Sequence, residues 1–140
     1  MARHSGHCLC GAVAFIMDAD LSKTEACHCT TCRTQNGGSA FFWVTCEAIR
    51  FSKDTGLRWF KSSDWAERGF CSICGTTVAW RLSDGTGQPD VSIGMLDDAS
   101  GVSLQHHIFV DEAGAFAPPP DDAPHMTGAE FLASIAEQGD

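Results

Sequence analysis

"CLCGAVAF", residues 8 to 15, sets two thiols one residue apart on a stretch that ends in glycine and then runs into apolar alternation. "CSICG", residues 71 to 75, repeats the device in the middle of the chain, ahead of "TTVAWRL" at 76 to 82. Each pair reads as two sulfurs on a tight turn that feeds a strand. A turn that folds backbone N–H groups toward sulfur often needs a positive φ, which Gly11 and Gly75 tolerate at little cost. Together the two knuckles supply Cys8, Cys10, Cys71 and Cys74, the full shell of a closed tetrahedral structural Zn²⁺ site. Such a site ties the first strand to the middle of the sheet and contributes folding free energy outright. Four unpaired core cysteines and an iron–sulfur cluster are the competing readings, and paired knuckles favour zinc.

Around this device lies a chain of 140 residues, 44% hydrophobic, which is one domain with a core of modest size. Its eight cysteines serve as disulfides in an oxidising compartment or as metal thiolates in a reducing one. "MARHSGHCLCGAVAF" holds no apolar run of signal-peptide length, and nowhere does the chain offer the ~20 apolar residues of a membrane span. The expectation is a cytoplasmic protein with reduced thiols and no membrane partner. A formal net charge of −9, with no block of lysine or arginine, argues against nucleic acid as a partner and leaves a small molecule as the ligand. Oligomeric state is not legible in the sequence.

A second cluster, "CHCTTC" at residues 27 to 32, packs three thiols and a histidine into six positions, too close for mutual disulfides of ordinary geometry. Cys27, Cys29 and Cys32, at i, i+2 and i+5, can wrap one side of a metal and leave a fourth position open, the pattern of a catalytic zinc. Alternatively Cys46, late in "AFFWVTC" (40 to 46), closes the shell and makes a second structural site, although a buried free cysteine there also serves as a small apolar residue. His28, flanked by two ligands, is expected beside the metal or exposed to solvent rather than on the metal.

Stretches rich in β-branched and aromatic residues predict strands at 12 to 17, 40 to 46, 48 to 51, 57 to 61, 76 to 82, 91 to 95 and 106 to 110. "SDGTGQPD" (83 to 90) reads as a hairpin loop. The expected fold is mainly β, with antiparallel sheets stapled by zinc. Residues 1–116 form its zinc-binding domain, and residues 117–140 a proline-rich tail with a short C-terminal helix packed on it. Thr127 and Glu130 have capping-box spacing, Phe131, Leu132 and Ile135 make a short apolar stripe, and the proline run is expected to isolate this helix from the sheet.

The motifs "GHCLCGAVAF", "CHCTTCR" followed by Gly37, "RGFCSICGT", "GMLDD" and "HHIFV" stand in an order and at separations that resemble the glutathione-dependent formaldehyde-activating enzymes, a family of Mss4-like fold that includes centromere protein V. The resemblance runs from about residue 5 to about residue 110. It implies two Zn²⁺ per chain, one structural on Cys8, Cys10, Cys71 and Cys74 and one catalytic on Cys27, Cys29 and Cys32. It also implies a carbon–sulfur lyase that joins glutathione and formaldehyde as S-hydroxymethylglutathione or separates them. Many family members continue after the "HIFV"-like strand with a lysine or arginine and then a tryptophan. Here Asp111 and Glu112 follow, and Phe116 takes the approximate tryptophan position.

Glutathione carries two carboxylates, so its site needs cations or backbone N–H groups. Arg33, directly after the last cysteine of the cluster, and Arg68, three residues before Cys71, are the substrate-binding candidates, each also readable as a surface arginine or as part of a salt bridge. His107, which the resemblance aligns with a recurrent histidine, is the third, as a proton shuttle or as a packed core residue. Trp43, Trp59 and Trp80 lie in strand-like segments and are expected in the core, whereas Trp65 in "SSDWAERG" is the candidate pocket wall. Two function classes follow: a zinc-dependent carbon–sulfur lyase acting on a thiol–aldehyde adduct, or a non-catalytic zinc-stapled binding module or glutathione carrier.

Overall fold

The computed structural model describes residues 2–119 and 122–138. Its strands are β1 (Ala2–His7), β2 (Ala14–Cys27), β3 (Phe41–Lys53), β4 (Leu57–Lys61), β5 (Ala66–Cys71), β6 (Thr77–Leu82), β7 (Asp90–Ser92) and β8 (Leu104–Ile108), with helices α1 (Thr30–Gln35) and α2 (Gly128–Gln138). The strands form a mainly antiparallel sheet in the order β1-β2-β3-β7-β6-β5-β4. β8 runs parallel to the second half of β2, on the edge whose first half pairs with β1. A mainly β fold with a short C-terminal helix is what the sequence predicts. No helix among the described residues is long and apolar enough to cross a membrane.

β2 sets the frame because it is long and alternates. Phe15, Met17, Ala19 and Leu21 point into one core with Val13, Val44, Val78, Val91 and Met95, and the knuckle residues Cys8 and Cys71 belong to that core. The two stretches expected at 40 to 46 and 48 to 51 are one strand, β3. Its pairing skips Glu47, since Asp18 faces Ala48 and Ala19 faces Cys46, so a bulge absorbs the polar interruption. Past the irregular Ala19–Thr24 stretch, β2 carries Glu25 and Cys27 on the side occupied by a second, smaller core of Cys27, Cys32, Phe41 and Ile108. Residues 83 to 89 join β6 to its antiparallel neighbour β7, as the glycine-rich turn chemistry predicts.

The tail departs from expectation. Although Pro124 has no N–H, its carbonyl accepts from His107 N at 2.8 Å, and Met126 N returns to His107 O at 2.7 Å, so residues 124 to 126 lie alongside β8 instead of being held apart from the sheet. Pro120 and Asp121 of that tail lie outside the described residues. The capping box forms, with Thr127 N donating to Glu130 Oε1 at 2.8 Å and Glu130 N to Thr127 Oγ1 at 3.1 Å. Of the expected stripe only Phe131 packs, against Phe109 and the small core, while Leu132 and Ile135 face solvent.

Candidate metal centres

The knuckles meet. Their four sulfurs lie within 4.8 Å of one another, and Cys10 Sγ is 3.7 Å from both Cys8 Sγ and Cys71 Sγ. A disulfide would need about 2.05 Å. Four thiolates at about 2.3 Å around a tetrahedral ion stand about 3.8 Å apart, so the spacing and the donor set both fit Zn²⁺. Gly11 and Gly75 each hold φ +82° and return an N–H to the first cysteine's carbonyl, at 3.1 and 2.7 Å. Val13 N donates to Cys8 Sγ at 3.2 Å, and the Thr76 hydroxyl, 3.2 Å from Cys74 Sγ, together with backbone N–H donors, draws that thiol down to about 5. Beneath both turns Gly56 donates to Ala12 O and accepts from Ser72 N, with no room for a side chain: an added Cβ would stand 2.7 Å from Cys71 Sγ.

The second cluster also converges. Cys27 closes β2, Cys29 is the N-cap of α1 and accepts from Cys32 N at 3.4 Å, and Cys32 lies on the helix, so one short turn of chain brings three sulfurs within 4.8 Å. No other histidine, cysteine or carboxylate joins them among the described residues. The Cys46 alternative is ruled out: its thiol donates to Pro89 O at 3.2 Å inside the large core. Three adjacent sulfurs ionise poorly without a cation. The thiols of Cys27 and Cys32 donate to Cys29 and draw it down to about 2. Cys27 is pushed well up because its proton is committed to Cys29 and Cys32. Cys32, favoured by Cys27 but opposed by Cys29 and burial, rises to about 11. Only a cation lets all three be thiolates at once.

The surroundings place the remaining candidates. Arg68, on β5 and 7% exposed, donates from Nη1 to Cys32 Sγ at 3.2 Å and to Gln35 Oε1 at 3.1 Å. Arg33 lies in the last turn of α1, half-buried, its Nε without a partner among the described residues. His107 is fully buried, with Nδ1 2.9 Å from His28 Nε2 and its ring set edge-on to His125. Asp111 and Glu112 are structural acceptors: Glu112 Oε1 takes Thr30 N (2.8 Å) and Thr30 Oγ1 (3.0 Å) at the start of α1, and Asp111 Oδ1 takes Gly128 N (2.7 Å) at the start of α2. Between them and β8, Phe109 sits in the left-handed region, φ +56°, which turns the chain off the strand. Phe116 is exposed, its ring lying against the Gly38 turn that follows α1.

Trp43 and Trp80 are half-buried against the three-cysteine cluster's core, and Trp65, 51% exposed, meets Trp80 edge-on, so it continues that wall to the surface. Trp59 packs, half-buried, against the large core and carries the Arg81 guanidinium on its face, 3.6 Å from the ring centre. Sequence reasoning missed two carboxylates near this wall. Glu25 pairs with His106 at 3.4 Å, and Asp90 accepts from Thr45 Oγ1 at 3.1 Å. The only signal for them was their position in the strand alternation.

Comparison with known proteins follows the same lines. The sequence profile of the glutathione-dependent formaldehyde-activating enzymes matches residues 3–112. An uncharacterized lyase, C29B12.13, of Schizosaccharomyces pombe is 24% identical over 112 residues, covering 80% of this chain and 82% of its own. The crystal structure of a Rhodobacter sphaeroides protein superposes with a TM-score of 0.57 at 20% identity, over 71% of this chain and 98% of that one, and shares the fold.

Proposed function

The chain belongs to the glutathione-dependent formaldehyde-activating enzyme family, and from that premise we propose that it is a zinc-dependent carbon–sulfur lyase acting on S-hydroxymethylglutathione or a related adduct of a small thiol and an aldehyde. The observation that carries this reading is the convergence of Cys27, Cys29 and Cys32 with no fourth protein ligand among the described residues, beside a knuckle site that has all four. Cys8, Cys10, Cys71 and Cys74 are the structural zinc ligands in this reading, and the three-cysteine set holds the catalytic ion.

A bound Zn²⁺ there supplies a Lewis acid that favours the ionised form of a thiol at neutral pH. The reaction forms one bond, from the thiol sulfur to the aldehyde carbon, while the thiol proton ends on the former carbonyl oxygen. The reverse breaks that bond and returns the proton to sulfur. The chain's own part is to place and to shield. α1 fixes the directions of Cys29 and Cys32, Glu112 pins the start of α1, and Phe41, Trp43, Trp80 and Ile108 wall the cluster with apolar surface that excludes water. Arg33, in the last turn of α1, supplies a cation for a substrate carboxylate.

The test is metal content with and without a mild chelator, followed by glutathione titration and by exchange of ¹³C-formaldehyde with S-hydroxymethylglutathione, read by NMR. Two Zn²⁺ per chain, one of them labile, with glutathione binding and accelerated exchange that C29S abolishes, is the expected result. Two equally tight ions, no glutathione binding and no acceleration would make the chain a zinc-stapled binding module instead.

A further inference from the structure

A buried guanidinium needs an anion, because an uncompensated charge inside a protein costs several kcal/mol. Arg68 is 93% withdrawn from solvent, yet no carboxylate forms an ion pair with it among the described residues. Its sequence neighbour Glu67 is taken by Arg81 at 2.8 Å. What Arg68 does touch is Cys32 Sγ and Gln35 Oε1, both from Nη1. These acceptors sit three residues apart on α1, so they share a helix face, and that face is turned toward β5. The amide is neutral. The anion that balances Arg68 is therefore the sulfur cluster.

We propose that Arg68 is the counter-ion of the Cys27/Cys29/Cys32 centre, a positioning residue that acts through Cys32 and not a group that grips substrate. The proposal rests on the reading that these three cysteines hold a divalent cation. Three thiolates and a divalent ion leave one negative charge, which the guanidinium cancels. The knuckle site, with four thiolates, keeps a double negative charge and has no arginine hydrogen-bonded to it among the described residues, but there Cys10 is open to water, which solvates the excess. Each centre is thus neutralised by the means its burial allows.

The contact has a chemical consequence. A charge-assisted N–H···S bond draws electron density from the Cys32 thiolate, so that sulfur donates less to its metal and the ion stays more electrophilic toward an incoming thiol. It also locks the direction of Cys32 from outside the helix. One strand thereby serves both centres: β5 carries the cation for one at Arg68 and a ligand for the other at Cys71.

The experiment loads the full chain with ¹¹³Cd²⁺, which gives one NMR resonance per site, in wild type, Arg68→Met and Arg68→Lys. The expectation is two resonances in wild type. In R68M the three-cysteine resonance moves to lower field, as stronger thiolate donation requires, while the four-cysteine resonance stays put, and R68K falls between. If R68M loses both signals through misfolding, R68K decides, because it keeps the charge but not the planar fork, and a partial shift of the same sign supports the role. A three-cysteine resonance that does not move in the folded variants overturns the counter-ion role and leaves the metal reading intact. A single resonance in wild type, at the knuckles, overturns the metal reading and the role of Arg68 together.

Discussion

Asp90 offers a test in which the sign of a pH effect is dictated by its surroundings. It enters β7 opposite Thr45 on one side and Trp80 on the other, and burial in that wall, with a further push from the Glu25 charge, raises its carboxyl from 3.8 to about 7 against the pull of the Thr45 hydroxyl. Between those two values the folded chain keeps a proton that the unfolded chain has released, so raising the pH through the window removes stability. The full displacement corresponds to about 4 kcal/mol, of which about half is lost between pH 5.5 and 8. Asp90 retains some exposed surface, which lowers the expectation to about 1 to 2 kcal/mol over that interval. Asp90→Asn removes the titration and keeps an acceptor for Thr45. Urea unfolding of zinc-saturated wild type and D90N at the two pH values isolates the effect, since every other group cancels in the difference. D90N should gain on wild type from pH 5.5 to 8. A difference that is flat with pH would mean that the folded carboxyl is already ionised at pH 5.5, at or below its ordinary value, and would refute the reasoning.

Further outcomes follow from single contacts. Gly56→Ala puts a Cβ 2.7 Å from Cys71 Sγ and 3.0 Å from Ala12 Cβ, so it should cost roughly 1 to 3 kcal/mol and speed release of the knuckle ion to a chelator without changing release from the other site. Cys46→Ala should leave both metals bound, read by metal analysis, while lowering stability by roughly 1 kcal/mol for the lost packing and the lost bond to Pro89 O. Glu112→Ala frees Thr30 N and Oγ1 at the start of α1 and should cost about 1 kcal/mol, with faster metal loss from the three-cysteine site. Equal loss from both sites would refute the local origin of that effect.

What the sequence revealed and what it hid divide along a physical line. Cysteine spacing exposed both clusters because metal geometry is local and strict, and the Thr127–Glu130 box exposed α2 because capping is a three-residue rule. β1 and β5, "ARHSGH" and "AERGFC", gave no strand signal because they are polar and contain glycine. Their ladders are imposed by the strong neighbours β2 and β6. α1 was hidden by length, being six residues started by a cysteine N-cap and held at its first turn by Glu112, 82 residues away. The Arg68 contact to Cys32 and the His28–His107 pair, 36 and 79 residues apart, depend on register that no single stretch encodes.

The two centres also differ in what a metal can contribute to the fold. The knuckle ligands lie on turns 61 residues apart, so an ion there closes a long loop, and the entropy removed from the unfolded chain grows with loop length. Cys27, Cys29 and Cys32 lie within one short turn, and an ion on them closes almost nothing. Their assembly is nonetheless expensive: two of the three thiols are pushed well up, a buried arginine is committed to them, and a glutamate is brought from the far end of β8 to hold their helix. A staple that barely staples has no stability argument behind it. The arrangement makes physical sense as a site kept for what the ion does to an incoming sulfur, and that is why the lyase reading is preferred here to a second structural zinc.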